Sequence, residues 1–297
     1  MNINSFNECL KYKLKNISND PIFFYHVPKS GGTTFCDLLA NLFKKSLRIN
    51  GTLFKNNDKG GSTAFENFIN NKNNFLEIFN KADFVYGHLP FEIQSYLPEK
   101  FSTITIIREP LERAISHYLW AIERGYINKV ENLEDLFDKN QLPSNPLFNQ
   151  FALNYNNIHI KSIDIEIAIQ NIKKINYICK IEDIFLLIKF IISKYNKYNV
   201  LFQNRQINLN KKKITEEQVK IIKKNNLIDI QIYNRLLKEN FFHKFTEETE
   251  PIKDDYIFFS RKGSALIDNK NIQLINKTKI AKVKKNLIST GFKIITY

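Results

Sequence analysis

The chain has 297 residues and a hydrophobic fraction of 43%, which is enough to bury one core or a core with an appendage. This composition excludes an intrinsically disordered protein, and the longest apolar run is too short for the roughly 18 residues of a membrane span. The formal net charge of +14 favours an anionic partner, but lysine, asparagine and isoleucine are abundant throughout, so the base composition of an A/T-rich genome explains the charge equally well.

The N-terminal segment and the cysteines indicate where the protein resides. Residues 1–20 are polar and lack the apolar core of a secretory signal. The cysteines, Cys9, Cys36 and Cys179, are scattered without the spacing of a metal site or a redox pair. We therefore expect a soluble, cytoplasmic protein without a transmembrane segment, for which peripheral membrane contact stays open.

Strands and helices alternate along the first half of the chain. The run "PIFFYHV" at 21–27 predicts a strand buried on both faces, and 33–45 has apolar residues at helical spacing. Asparagine and lysine dominate 50–74, where "NGTLFKNNDKGG" at 50–61 predicts a loop. Further strands are predicted at 82–88 and 101–108.

The alternation continues to about residue 240. Pro110 and Gly125 bound a predicted helix, 175–183 predicts a fourth strand, and 184–195 an apolar core helix. Residues 215–240 predict two helices. We therefore expect an α/β fold with a central, mostly parallel sheet flanked by helices, whose ligands bind at the carboxyl ends of the strands.

The pattern changes near residue 250. Residues 254–275 predict a short hairpin and 277–290 a basic helix. We divide the chain into one domain at 1–250 and a C-terminal extension of unknown role at 251–297.

The turn after the first predicted strand has the features of an anion site. Glycines there allow close approach of backbone N–H groups, the next helix adds the positive end of its dipole, and a lysine adds a charge. The candidate residues are Lys29, Ser30, Gly31, Gly32, Thr33 and Thr34. An ordinary capped turn is the alternative. The lysine precedes the glycines, which is not the order of a Walker A loop.

Three motifs in order carry a resemblance to a known family. "HVPKSGGTTF" resembles the 5′-phosphosulfate loop of sulfotransferases that use 3′-phosphoadenosine 5′-phosphosulfate (PAPS), in particular the heparan sulfate 2-O-sulfotransferase and other carbohydrate branches. "ITIIREPLERAISHY" is similar to the signature that grips the 3′-phosphate, here through Arg108 and Ser116. "YGH" resembles the catalytic histidine site, which gives His88. The resemblance covers about 21–240.

The resemblance implies a P-loop-like three-layer fold and a transfer of the sulfuryl group from PAPS to a carbohydrate hydroxyl. The acceptor would be a polysaccharide, an oligosaccharide or a glycolipid, and the product nucleotide is adenosine 3′,5′-bisphosphate (PAP). His88 would be the general base, and Lys29 would stabilise charge on the bridging oxygen. This chemistry requires no metal.

Several assignments keep an alternative. Arg108 could instead form a salt bridge with Glu109 or Glu112. Arg113 matches the family's second arginine and either braces the loop or contacts the ligand. His26 precedes the loop inside the strand and is interpreted as structural or supporting.

Two other functions share part of this evidence. A P-loop-like kinase would use the same anion loop with ATP and magnesium. A non-catalytic protein that binds nucleic acid or an anionic glycan would exploit the charge, although no nucleic-acid motif occurs. Neither explains all three motifs together.

Overall fold

The computed structural model describes residues 21–43, 45–51, 63–127, 132–152, 164–195, 199–202, 214–245, 256–260, 263–268, 271–274 and 293–295. Its centre is a five-stranded sheet in which every neighbouring pair of strands is parallel. The strands are β1 (Ile22–Tyr25), β2 (Ser46–Ile49), β3 (Phe84–Gly87), β4 (Ser102–Ile107) and β5 (Tyr177–Lys180). Their order is β2-β3-β1-β4-β5. The predicted α/β fold is confirmed.

Helices occupy most of the connections between these strands. They are α1 (Gly32–Leu42), α2 (Ala64–Asn70), α3 (Lys72–Lys81), α4 (Pro110–Glu123), α5 (Leu133–Asp138), α6 (Pro146–Ala152), α7 (Ile165–Lys173), α8 (Ile184–Tyr195), α9 (Glu216–Lys224) and α10 (Leu227–Lys238). Short 3-10 turns cover Phe91–Tyr96 and Ile181–Asp183. None of the helices in the described part of the chain is long and apolar enough to span a membrane.

The sheet is buried on both faces, which explains why its central strands are almost continuously apolar. On one face Phe24 and Ile106 pack with residues of α1 and α8. On the other face Phe23 and Tyr25 pack with residues of α2, α3, α6, α7 and α10. Successive side chains of β1 therefore enter two different cores, and the molecule has three layers.

The strand order places one edge of the sheet at a topological switch point. After β1 the chain runs to the outer strand β2, returns to β3, and then crosses to β4 on the opposite side of β1. The carboxyl ends of β1, β3 and β4 are consequently adjacent. Ligands in open parallel sheets bind in the crevice at such a point.

Most of the loop predicted at 50–61 lies outside the described residues, and the helices that follow it were not predicted. Residues 52–62 lie outside the described part, but α2 begins at Ala64. The side chain of Thr63 accepts from the N–H of Glu66, and the Glu66 carboxylate accepts from the N–H of Thr63. This capping box marks the start of α2, and it was overlooked because the surrounding sequence is rich in asparagine. The edge strand β2 was also missed.

A second sheet contains the predicted hairpin. Its strands are β6 (Asn199–Phe202), β7 (Tyr256–Ser260), β8 (Gly263–Asp268), β9 (Asn271–Leu274) and β10 (Lys293–Ile295). β7 and β8 pair antiparallel, whereas β6 and β7 pair parallel. The basic helix expected at 277–290 lies outside the described residues, and the domain boundary at 250 stays a prediction.

Candidate active site

The loop after β1 turns tightly into α1. Lys29 and Gly31 both have positive φ, 65° and 77°, and the N–H of Ser30 donates to the carbonyl of Val27 across 3.3 Å. The left-handed conformation at Gly31 is one that glycine adopts without steric cost. It directs the chain into α1 while the backbone stays close to the end of β1.

The first turn of α1 lacks a side-chain cap. Gly31 occupies the N-cap position, and within the residues that the structure describes no side chain there accepts from the first N–H groups. The first turn of α4 differs, because the Glu109 carboxylate accepts from the N–H groups of Leu111 and Glu112. Open N–H groups at the positive end of a helix form an anion site. α1 therefore has such a site and α4 does not.

Ser30 and Thr33 are differently placed in the anion loop. Ser30 is 1% exposed, and its hydroxyl has no hydrogen-bond partner among the described residues. The exposed Thr33 lies in the first turn of α1. The backbone of Thr34 follows in the same turn. The loop thus offers an unused buried hydroxyl as well as its amides.

Gly32 is required by the packing of a histidine on the loop. A β-carbon added at Gly32 would lie 2.2 Å from Cδ2 and 2.4 Å from Nε2 of His26. The His26 ring stacks on Phe24, with ring centroids 5.5 Å apart. His26 thus covers the first residue of α1, and only glycine leaves room for the ring.

His88 follows β3 and lies against His26. Its Nδ1 is 2.8 Å from the carbonyl oxygen of His26, and the two ring centroids are 4.3 Å apart. Because a carbonyl oxygen only accepts, Nδ1 carries the proton, which leaves the lone pair on Nε2. The backbone of the anion loop therefore fixes the tautomer that a general base needs.

Burial keeps both imidazoles neutral. Desolvation lowers the pKa of His88 below its ordinary value, and the charge of Arg48 lowers it further against the opposing effect of the His26 carbonyl. Desolvation, His88, Arg48 and Lys29 lower the pKa of His26 well below its ordinary value. Arg48 is exposed on β2 beside Tyr86, and sequence analysis gave it no role. It contributes a positive charge that acts on His88.

The ammonium group of Lys29 lies over an aromatic ring of α4. Its Nζ is 4.9 Å from the centroid of the Trp120 ring. Desolvation and the charge of Arg108 lower the pKa of Lys29, and Glu123 opposes them. Lys29 follows β1 and Arg108 follows the neighbouring parallel strand β4, so both cations lie at the carboxyl edge of the sheet. Trp120 was not selected from the sequence, although it lies four residues after Ser116.

Arg108 follows β4 at the same edge and pairs with a neighbour. Its guanidinium lies 3.3 Å from the Glu112 carboxylate, whose side chain is 61% exposed. This is one of the two salt bridges that sequence analysis named as the alternative, whereas Glu109 caps α4. The exposed pair leaves Arg108 accessible to an anion. Ser116 lies partly buried two turns into α4.

Arg113 is buried rather than exposed to the cleft. It is 2% exposed, and its Nη2 donates to Oδ1 of Asn226 across 2.7 Å. Burial lowers the pKa of Arg113 to about 10 against the opposing charge of Asp229. Asp229 in turn accepts the N–H groups of Leu147 and Phe148. Arg113 therefore joins α4 to the turn between α9 and α10, not to the anion loop.

His117 is a third imidazole near these groups. Desolvation, followed by the charges of Arg113, Lys29 and His88, lowers its pKa to about 3. Its Nδ1 is buried without a partner in the described part of the chain. It follows Ser116 directly in α4, and its ring centroid lies 5.6 Å from that of Trp120.

The carboxyl edge of the sheet therefore brings together an open helix terminus, a histidine with a fixed tautomer and two accessible cations. The fold is that of a P-loop-like α/β protein in which the lysine precedes the glycine pair. The chain matches the family described as "Sulfotransferase family" over residues 16–244. It belongs to that family, and the resemblance found in the sequence is confirmed.

A curated relative comes from the carbohydrate branch. The chain is 34% identical over 107 residues to heparan sulfate 2-O-sulfotransferase hst-2 of Caenorhabditis elegans. The aligned stretch covers 34% of this chain and 32% of the relative. The chain thus spans about a third of the length of the curated relative that it matches.

Proposed function

We propose that the protein transfers the sulfuryl group of PAPS to a hydroxyl of a carbohydrate acceptor, with His88 as the general base. The observation that carries the proposal is the bond between Nδ1 of His88 and the carbonyl of His26. It joins the base to the residue that covers the anion loop. The base and the site for the sulfuryl donor are thereby held at one place.

The residues present fit a nucleotide with anionic groups at two ends. The open N-terminus of α1 suits the 5′ group, with Lys29, Ser30, Gly31, Gly32, Thr33 and Thr34 around it. Arg108 and Ser116 suit the 3′-phosphate, because a guanidinium binds phosphate oxygens through two parallel hydrogen bonds. Bound PAPS would supply an activated sulfuryl group on a phosphate leaving group.

His88 has the chemistry that the acceptor hydroxyl requires. Its neutral ring directs the lone pair of Nε2 away from the His26 carbonyl, so Nε2 can accept the hydroxyl proton as the oxygen attacks in line. The lowered pKa keeps the ring unprotonated at neutral pH. Protonation of His88 in the reaction is temporary, because the same buried environment favours release of the proton.

Lys29 and the α1 amides act on the opposite side of the transferred group. Negative charge develops on the leaving oxygen, and preorganised N–H donors with a nearby ammonium stabilise it. Lys29 belongs to the same loop as these amides, two residues before Gly31. The catalytic assignment is therefore His88 for the proton and Lys29 for the leaving group.

A carbohydrate acceptor is supported by the relative and by charge. The relative's name specifies 2-O-sulfation of heparan sulfate, an acidic polysaccharide. Arg48 and the net charge of +14 would attract an acidic chain to the cleft. A cytoplasmic reaction on a sugar intermediate belongs to the same proposal, and fractionation of the native cells would test it.

Thermal unfolding with nucleotides tests the assignment of the cofactor. PAP should raise the unfolding temperature more than ATP with magnesium, because the binding free energy adds to the stability of the folded state. Arg108→Ala should remove the preference, since Arg108 is assigned to the 3′-phosphate that ATP lacks. Equal stabilisation of the wild type by PAP and ATP would refute the cofactor and favour a kinase.

A further inference from the structure

Trp120 lies in the last turn of α4, where its ring contacts Lys29 of the anion loop. It is the only tryptophan of the 297 residues, and its ring contacts three functional groups. The Lys29 ammonium lies 4.9 Å from its centroid, the His117 ring 5.6 Å and the Tyr126 ring 5.2 Å. An indole face attracts an ammonium through the ring quadrupole. Trp120 therefore holds the Lys29 side chain on the α4 side of the cleft.

The charges around Lys29 act on its ammonium in both directions. Glu123, one turn after Trp120, favours the charged ammonium, whereas Arg108 and Arg124 disfavour it. The pKa of Lys29 is lowered mainly by desolvation, so the ammonium has exchanged part of its hydration for the indole. The contact with Trp120 therefore competes with a bound anion for the Lys29 ammonium.

The same ammonium is needed at a second place. The proposed function, on which this inference rests, assigns Lys29 to the leaving oxygen of a group bound by the amides of α1. A lysine ammonium is a compact charge on a flexible stem, and it cannot lie on the indole and on that oxygen simultaneously with full effect. Binding of the 5′ anion and the contact with Trp120 are therefore coupled through one side chain.

We infer that Trp120 is a positioning residue that keeps the Lys29 ammonium away from the reaction centre until a 5′ anion draws it across. The indole lowers the affinity for the nucleotide, because the contact with Lys29 must be broken. It also withholds the leaving-group cation from a donor that is not fully seated. Trp120 thus weakens nucleotide binding, whereas a side chain in direct contact with the nucleotide would strengthen it.

The direction in which a mutation of Trp120 changes PAP affinity distinguishes this role from a direct contact with the nucleotide. Trp120→Leu should tighten PAP binding by about 2- to 30-fold, the affinity equivalent of one cation–π contact. Trp120→Phe keeps a weaker aromatic face and should tighten binding less. A platform for the nucleotide, or a purely structural ring, predicts weaker or unchanged binding in both variants. Either of those results would overturn the inference.

A double-mutant cycle tests whether the effect passes through Lys29. In a Lys29→Ala background, Trp120→Leu should leave the affinity for PAP unchanged, because no ammonium remains to be released. The same tightening in both backgrounds would show that Trp120 acts without Lys29 and would overturn the inference.

The fluorescence of the single tryptophan reports on its contact with Lys29 and distinguishes this contact from a purely structural role. Lys29→Ala should change the emission of Trp120 in the protein without nucleotide, and PAP should change the wild-type emission in the same direction. PAP should leave the emission of Lys29→Ala unchanged, or change it only by the direct effect of adenine. Trp120→Phe has no tryptophan, so its emission gives the background signal. An identical response to PAP in wild type and Lys29→Ala would contradict the inference.

Failure of the proposed function gives a different result. If PAP neither stabilises the wild type nor binds it at saturating concentration, the cofactor assignment is wrong and Trp120 has no nucleotide to compete with. If PAP binds but Trp120→Leu does not tighten it, only the role of Trp120 is refuted.

Discussion

The two sides of the cleft hold their functional groups in different ways. On the β3 side, His88 is bonded to a backbone carbonyl and its ring packs against His26, which is itself locked over Gly32. On the α4 side, each cation contacts a side chain that a ligand could replace. Lys29 lies over Trp120, and Arg108 pairs with an exposed carboxylate.

His88, the proposed base, is thus preorganised, whereas Lys29 and Arg108 must leave their present contacts to bind a ligand. A backbone carbonyl cannot rotate away, so the tautomer of His88 does not depend on the ligand. Surface ion pairs contribute about 1 kcal/mol or less and a cation–π contact about 0.5–2 kcal/mol, so an anionic ligand can break them. We expect mutations on the β3 side to affect rate and packing, and mutations on the α4 side to change nucleotide affinity modestly.

The largest effect is expected from His88→Asn. An asparagine amide can still donate to the His26 carbonyl but cannot accept a proton at neutral pH. Turnover should fall by about 10²- to 10⁴-fold, the usual contribution of general base catalysis. Transfer of radiolabelled sulfate from PAPS to a panel of desulfated glycans measures this.

The nucleotide site should survive the same substitution. PAP should stabilise His88→Asn as much as the wild type, because the α1 amides and Arg108 are unchanged. Near-normal transfer by the variant would move the base role to another group. Loss of PAP stabilisation would instead show that the two sides are not independent.

The next effect is expected from Gly32→Ala, which tests the packing of the β3 side. The added methyl group would lie 2.2 Å from the His26 ring and force it off the loop. Overpacking of this kind costs about 1–3 kcal/mol of unfolding free energy, measured by chemical denaturation. The backbone of His26 should shift with its ring and loosen the bond to His88, so turnover should fall as well.

Gly125→Ala is the matched control for that substitution. Gly125 has φ of 69°, and within the described part of the chain no atom beyond its chain neighbours lies within 4 Å of an added β-carbon. The control should cost about 1 kcal/mol through backbone strain alone and leave transfer intact. Combining Gly32→Ala with His26→Ala should restore stability, and a failure to do so would place the clash elsewhere.

Much of the fold could be predicted because local signals agreed with burial. β1 and β4 are buried on both faces, and α4 begins at Pro110, as predicted. β2 was missed because it lies at the edge of the sheet, where only Ile49 is buried and the neighbouring residues are polar. Propensity is a weak guide at such an edge.

The site was less predictable than the fold, since its pairings depend on tertiary packing. The positions of Lys29 and His88 after their strands follow from topology. The contact of Lys29 with Trp120, and the packing of the His88 ring on His26, join residues that are distant in the chain. The pair of Arg108 and Glu112 was foreseen as an alternative because its partners are only four residues apart in the chain.

The smallest effect is expected from Glu112→Gln on the α4 side. The change removes the partner of Arg108 and a negative charge next to the proposed 3′-phosphate site. PAP affinity should increase by about 1.5- to 5-fold, which corresponds to the value of an exposed ion pair. Isothermal titration of both proteins with PAP measures the difference.

Glu77→Gln is the matched control, because Glu77 and Lys81 form another exposed pair four residues apart, in α3. Its affinity for PAP should equal that of the wild type. The gain in Glu112→Gln should also shrink at high salt, since screening weakens the repulsion that the mutation removes. Weaker binding by Glu112→Gln would mean that the carboxylate orients Arg108 for the phosphate. Arg108 would then be preorganised like His88, and the contrast between the two sides of the cleft would disappear at this residue.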